Sequence, residues 1–175
     1  MDIEVEIRSF ISKEKYEELL EFFKKEGEFI GEDEQETHYF DSDVDVRIQK
    51  NNYFSRIWMK KGKIHDECRE EIDVKCDKSD FDKLGEIFKS LGSNVKIKWF
   101  RKRHSFRWDG ITVTVDYTKG YGYILELEKM ADEFTKNSVL EFLKRKMNFL
   151  GIEITPKEEF DKKYEFYKNH WQELV

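Results

Sequence analysis

Apolar and polar residues alternate with a period of two at the start of the chain. Ile3, Val5 and Ile7 fall on one face and Glu4, Glu6 and Arg8 on the other, which predicts a strand over about residues 2–10. The period then lengthens. Tyr16, Leu19, Leu20 and Phe23 share one face of a helix, with Ser12 as its cap and Gly27 at its end. Strand-patterned runs follow at about 36–41, 44–50, 53–61 and 67–76. Ser79 is the expected cap of a second helix, whose apolar face carries Phe81, Leu84, Ile87, Phe88 and Leu91 before Gly92. A long strand is predicted over about 95–108, a tight turn at Asp109-Gly110, and further strands at about 111–117 and 122–129. Two helices close the chain. One, over about 136–150, presents Leu140, Leu143, Met147 and Leu150 on one face. The other opens on Thr155, Pro156 and Glu158, read as cap, first-turn proline and capping-box acid. Its aromatic stripe of Phe160, Tyr164, Tyr167 and Trp171 is expected to dock on the outer wall of the sheet.

A faint internal repeat accompanies this order. Glu4-Val5-Glu6-Ile7-Arg8 resembles Glu71-Ile72-Asp73-Val74-Lys75, and each is followed by a serine and an amphipathic helix ending in glycine.

The chain has 175 residues, a length that fits one domain, and no linker-like stretch divides it, so residues 1–175 are read as a single unit. Charged residues make up 40% against 38% hydrophobic, but 15% aromatics argue for a packed core rather than disorder. A net charge of −6 argues against a general polyanion-binding surface, so nucleic acid is not an expected partner. Cys68 and Cys76 match no zinc spacing and are read as reduced thiols of a cytoplasmic protein. No apolar run is long enough to predict a membrane span. The four histidines, His38, His65, His104 and His170, do not cluster in sequence and are read as packing or surface residues.

The charged positions change the picture. Nearly every predicted strand carries charge on alternate residues: Glu4/Glu6/Arg8, Arg47 with Gln49, Arg69/Glu71/Asp73, Arg101/Arg103 and Glu126/Glu128. One such strand is ordinarily a solvated face. Here the opposite faces, Ile3, Val5, Ile7, Val113, Val115, Leu125 and Leu127, need cover, and four amphipathic helices can supply it. Helices outside would turn the charged faces toward a common interior, which a barrel of about eight strands can hold. The expected fold is therefore α+β, an eight-stranded antiparallel closed β-barrel with helices packed outside. Clustered carboxylates suit Mg²⁺ or Mn²⁺, and clustered Arg and Lys suit phosphate oxygens.

In this order the blocks resemble the CYTH superfamily of triphosphate tunnel metalloenzymes, which includes class IV adenylyl cyclases, thiamine triphosphatases and bacterial tripolyphosphatases. Glu4-x-Glu6-x-Arg8 resembles the family's ExExK signature. Thr37-His38-Tyr39-Phe40-Asp41, Val46-Arg47-Ile48-Gln49 and Arg56-Ile57-Trp58-Met59-Lys60-Lys61-Gly62 resemble its next three strands. Arg69-x-Glu71-x-Asp73, Arg101-x-Arg103 and Val115-Asp116 through Tyr121-Gly122 to Glu126-x-Glu128 resemble the last three blocks. Arg8 stands where the signature has lysine, and Gln49 where the family has a second arginine. The Gly62 context favours Lys61 as the family's tunnel lysine, while strand parity with Arg56 leaves Lys60 open.

The resemblance implies that Glu4, Glu6, Glu126 and Glu128 hold divalent cations, with Glu71 and Asp116 as further ligands or orienters. It implies that Arg8, Arg47, Lys60 or Lys61, Arg69, Arg101 and Arg103 grip a phosphate chain. The implied partner is a small-molecule triphosphate, with homodimerisation left open. Three activities remain: hydrolysis of an inorganic or organic triphosphate, cyclisation of ATP to cyclic AMP, and triphosphate binding without turnover.

Overall fold

The structure, a computed structural model, describes residues 3–62 and 67–175, apart from the side chains of Cys68 and Arg69. The order is β1 (Ile3–Ile11), α1 (Lys13–Glu26), β2 (Glu28–Phe40), β3 (Asp45–Lys50), β4 (Ser55–Lys60), β5 (Cys68–Cys76), α2 (Phe81–Ser90), β6 (Val95–Trp108), β7 (Ile111–Thr118), β8 (Gly122–Ala131), α3 (Lys136–Phe149) and α4 (Lys157–Leu174). The eight strands form one antiparallel ring in the order β1-β5-β4-β3-β2-β6-β7-β8, closed by β1 against β8.

Apolar cover explains which face turns inward. Leu19 and Phe23 of α1 and Leu143 and Met147 of α3 are fully or almost fully buried against Val5, Ile7, Phe106, Val113, Val115, Leu125 and Leu127. Phe81 and Leu84 of α2 do the same for Phe40 and Ile48. With one face of each strand committed to helices, alternation leaves the other face to line the lumen. Coverage is incomplete at β5, where Ile72 and Val74 remain about half exposed.

Several local expectations are corrected. The second strand begins at Glu28, not near 36, although Glu28–Gln35 has no apolar alternation. Pairing with the long β6, from Glu28↔Arg107 to Phe40↔Val95, holds this acidic stretch in the sheet. Ser12 does cap α1, accepting from Lys15 N at 3.1 Å. Ser79 does not cap the second helix: Asp77 accepts from Ser79 N at 2.9 Å at the start of a 3₁₀ turn, and α2 follows. Thr155 does not cap α4. Its hydroxyl is drawn to β1, 2.8 Å from Ser9 Oγ, and accepts from Phe10 N at 3.0 Å.

The aromatic stripe of α4 is also placed differently from the expectation. Phe160, Tyr164 and Tyr167 pack with Tyr39, Trp99, Tyr121 and Ile124, and Phe160 and Tyr164 face the lumen. Helix α4 thus closes one end of the barrel rather than lying only on its wall.

Gly120, at φ +73° between β7 and β8, fixes how closely α4 can approach. A Cβ there would lie 2.6 Å from Leu174 Cβ and 3.0 Å from Leu174 O. Gly92, at φ +85°, has nothing within 4 Å. Gly120→Ala is expected to destabilise by about 1–3 kcal/mol, more than Gly92→Ala, which carries only the backbone strain. Thermal unfolding of the two variants checks this, and equal shifts would show that α4 is not packed there.

Candidate active site

The lumen encloses about 220 Å³. Among the described residues its wall carries Arg8, Arg47, Arg56, Lys60, Arg101 and Arg103, and, equal in number, Glu4, Glu6, Glu71, Asp116, Glu126 and Glu128. Charges of both signs are enclosed only because they are interleaved, since an unpaired buried charge is costly.

Three groups of close polar contacts organise it. Lys60 Nζ lies 2.6 Å from Glu4, 3.3 Å from Glu6 and 3.3 Å from Glu71, with β4 and β1 supplying residues that flank β5. Arg103 donates from Nη2 to Asp116 at 2.7 Å and to Glu126 at 3.3 Å, and its Nε reaches Asp116 at 3.0 Å. Arg47 holds Asp45 with two hydrogen bonds, Nε at 2.6 Å and Nη2 at 2.5 Å, and lies over the rings of Tyr39 and Trp58. Arg8 is more loosely tied, 3.8 Å from Glu6.

The carboxylates are crowded. Burial, offset in part by Lys60 and reinforced by Glu71 and Glu6, pushes the Glu4 carboxyl up to about 10. Burial opposes ionisation of Glu71 too, but hydrogen bonding with Glu4 and the charges of Lys60 and Arg56 hold Glu71 below its ordinary value. One proton is thus kept on Glu4 and shared toward Glu71. Burial and then Glu126 push Glu128 up to about 7. Burial also disfavours the Arg103 cation, yet Asp116 and Glu126 hold it above its usual range.

The ambiguity between Lys60 and Lys61 is resolved by position. Lys60 is buried in the lumen, whereas the Lys61 side chain is about half exposed and sits 2.7 Å from Glu70. Lys61 is therefore corrected out of the lumen set: β4 ends at Lys60, and alternation sends the next side chain outward. The side chain of Arg69, and His65, lie outside the described residues. The other charged candidates named from the sequence all line the one cavity.

Gln49 is buried and donates to Thr37 Oγ1 at 2.9 Å, while its own Oε1 accepts from Arg56 Nε at 3.1 Å. Gln49 and Arg56 are cross-strand partners, so a cation stands beside the glutamine that replaces the family arginine. Arg56 was missed as a site residue; its parity with Lys60 on β4 was the available signal. The aromatic lining, Tyr39, Trp58, Trp99, Tyr121, Phe160 and Tyr164, was missed as well. Strand alternation could have found Trp58 and Trp99, but the residues of α4 could not have been found that way. His38 and His104 are held by Glu36 and by Tyr16 and Glu32, outside the cavity.

The donors present are carboxylate oxygens, which suit a hard divalent cation. As arranged, no three His, Cys, Asp or Glu side chains among the described residues form a metal-binding group. Glu4, Glu6 and Glu71 do converge, but on the ammonium of Lys60. Their chemistry and crowding fit a divalent cation, provided that Lys60 gives way. Among the described residues, no helix is long and apolar enough to cross a membrane.

Comparison with known proteins agrees with this geometry. The CYTH domain model matches residues 2–164. A Methanocaldococcus jannaschii protein named "putative adenylate cyclase" is 33% identical over 164 residues, covering 86% of this chain and 90% of that protein. A conserved hypothetical protein of Pyrococcus furiosus superimposes with a TM-score of 0.76 at 26% identity, covering 86% of this chain and 91% of the other. A Hippeastrum protein, described as a "putative adenylyl cyclase" with a dominant triphosphatase activity, gives a TM-score of 0.67 at 17% identity, covering 94% of this chain and 96% of the other. That last likeness is one of fold.

Proposed function

The chain belongs to the CYTH domain family, and from that premise we propose that it hydrolyses a triphosphate in its lumen with a divalent cation. The balance of lumen charge carries this reading. Among the described residues, cationic and acidic side chains are equal in number on the wall. A triphosphate entering alone would bring several uncompensated negative charges, so it must enter with cations.

Glu4, Glu6, Glu126 and Glu128, with Asp116 and Glu71, would hold Mg²⁺ or Mn²⁺. When bound, the cation supplies charge neutralisation at the phosphate oxygens. The chain's own residues then exchange partners. Lys60 passes from carboxylates to phosphate oxygens, and Arg8, Arg47, Arg56, Arg101 and Arg103 complete the grip. Positioning of this kind supplies most of the catalysis in phosphoryl transfer. Water attacks a terminal phosphorus, the bond to the bridging oxygen breaks, and pyrophosphate leaves. The proton of that water is taken up by the departing pyrophosphate, so the step balances without a further group.

Hydrolysis asks only for the anion grip, whereas cyclisation must also fix a ribose within reach of the α-phosphorus. The name of the M. jannaschii relative keeps cyclisation as the second reading. The purified protein, offered tripolyphosphate or ATP with Mg²⁺ or Mn²⁺, is expected to turn over tripolyphosphate with the higher kcat/KM, giving phosphate and pyrophosphate. Cyclic AMP as the main product from ATP, with tripolyphosphate acting only as an inhibitor, would favour the cyclase.

A further inference from the structure

Strand β5 runs on past the end of one of its neighbours. Its register with β4 is continuous from Lys60↔Glu71 to Ser55↔Cys76, but among the described residues its pairing with β1 stops at Ile3↔Glu70. Successive residues of a strand aim N–H and C=O to opposite sides. Glu67 O accepts from Glu6 N of β1 at 2.9 Å, whereas Glu70 O accepts from Lys61 N on the β4 side at 2.9 Å. Odd-numbered residues of this strand thus bond toward β1 and even-numbered ones toward β4. Asp73 and Lys75 therefore aim their backbone groups past the last described residue of β1, and no backbone group among the described residues meets them there. The outer face of the same stretch is apolar and uncovered. Ile72 is 52% and Val74 55% exposed, and of this stretch only Cys76 packs against the cluster under α2.

Charged side chains are a usual guard on such an edge. Here they alternate in sign on the inner face. Asp73 accepts from Arg56 Nη1 at 3.2 Å, and Lys75 Nζ lies 4.8 Å from the centre of the Phe54 ring. The alternation makes the edge complementary to itself. Two copies paired antiparallel about a two-fold at Val74 set Asp73 of each opposite Lys75 of the other. Both residues aim their backbone groups at the contact, so each such pair exchanges both of its N–H···O bonds. On the outer face Val74 meets Val74 of the second copy, and Ile72 meets Cys76. Neighbouring registers fail. A two-fold at Asp73 sets aspartate against aspartate, one at Lys75 sets lysine against lysine, and one at Ile72 sets Glu71 against Asp73.

We propose that this edge is a homodimer interface: β5 pairs with β5 of a second copy, antiparallel about Val74, and joins two barrels through one continuous sheet. The inference is independent of the reaction carried out in the lumen. The paired edge is short, which puts the contact at the small end of specific interfaces, with a dissociation constant of about 1–100 µM.

The test uses the intact chain. Sedimentation between about 1 and 300 µM is expected to show conversion from the 21.3 kDa chain to twice that mass. Asp73→Lys alone and Lys75→Asp alone each set like charges opposite one another, and each is expected to weaken self-association roughly 10- to 100-fold. An equimolar mixture of the two variants restores opposite charges at both pairs and is expected to associate as the unsubstituted chain does. Amide hydrogen exchange reads the edge itself: the Asp73 and Lys75 N–H groups are expected to slow as concentration rises. A monomer throughout, with these amides exchanging freely, sinks the inference and leaves the edge to a strand of another protein. Protection already present in the monomer sinks it too, because the edge is then covered within one chain. A dimer that the two variants and their mixture leave unchanged places the interface elsewhere and overturns the proposal. If a charge variant does not fold, Val74→Cys decides, in a background of Cys68→Ser and Cys76→Ser. Its thiols meet across the two-fold, so mild oxidation is expected to link two copies, whereas Phe134→Cys, exposed and outside the strands, is expected to stay unlinked. Failure of Val74→Cys to link, or equal linkage at both positions, sinks the assignment.

Discussion

Glu4→Gln is expected to lower metal-dependent turnover of a triphosphate roughly 100-fold or more while leaving the unfolding temperature unchanged or slightly higher. The two effects separate because Glu4 has different states in the empty and filled lumen. Buried beside Glu6 and Glu71, its carboxyl is pushed up to about 10 and stays protonated at neutral pH in the empty protein. An amide is nearly isosteric with that acid, and its oxygen can accept from Lys60 Nζ as Glu4 Oε1 does at 2.6 Å. In the filled lumen the site must carry negative charge toward a divalent cation, which an amide cannot supply. Glu126→Gln is expected to lose turnover similarly, with Arg103 retained by its bonds to Asp116. Steady-state assays at limiting Mg²⁺, paired with melting curves, measure both effects. Wild-type rates in either variant would remove these carboxylates from the cation site, and a large fall in stability for Glu4→Gln would contradict its protonated state.

Lys60→Met is expected to have the largest effect on stability, a loss of about 3–5 kcal/mol. Its ammonium is the common partner of Glu4, Glu6 and Glu71, and removing it leaves buried carboxylates facing one another. For a chain of this size the unfolding temperature should fall by roughly 6–20 °C. Lys61→Met, one residue on, should change stability by less than about 0.5 kcal/mol, because its partner Glu70 is a surface group. Millimolar Mg²⁺ is expected to restore part of the loss in Lys60→Met, since a divalent cation can take the place of the ammonium among the same oxygens. Equal responses of the two lysine variants would refute the central placement of Lys60. A failure of Mg²⁺ to rescue Lys60→Met would argue against a cation site at these three carboxylates.

Much of the barrel was legible because strand alternation is local. The runs at Ile3–Ile7, Val113–Val115 and Leu125–Leu127 sort apolar from charged residues without reference to the rest of the chain. Four amphipathic helices then made it plain which face they would cover, and the buried cluster under α1 and α3 bears this out. Capping was less legible. Thr155 has the sequence of a helix cap, but its hydroxyl goes to Ser9, a residue more than a hundred positions away. The acidic stretch from Glu28 to Gln35 lacks strand pattern and is held in the sheet by β6 alone along most of its length.

The sequence by itself determined the inventory of the lumen: acids and bases at alternate positions of strands whose other faces need burial, in an order shared with a known family. Tertiary structure decided what each charge meets. The end of β4 turns Lys60 inward among three carboxylates and sends Lys61 out to Glu70. Cross-strand register sets Arg56 beside Gln49, and α4 lays Phe160 and Tyr164 across one mouth. The distinction is physical. Alternation depends on neighbours one and two residues away, whereas ion pairing and proton affinity depend on distances between strands and on the exclusion of water from a closed ring.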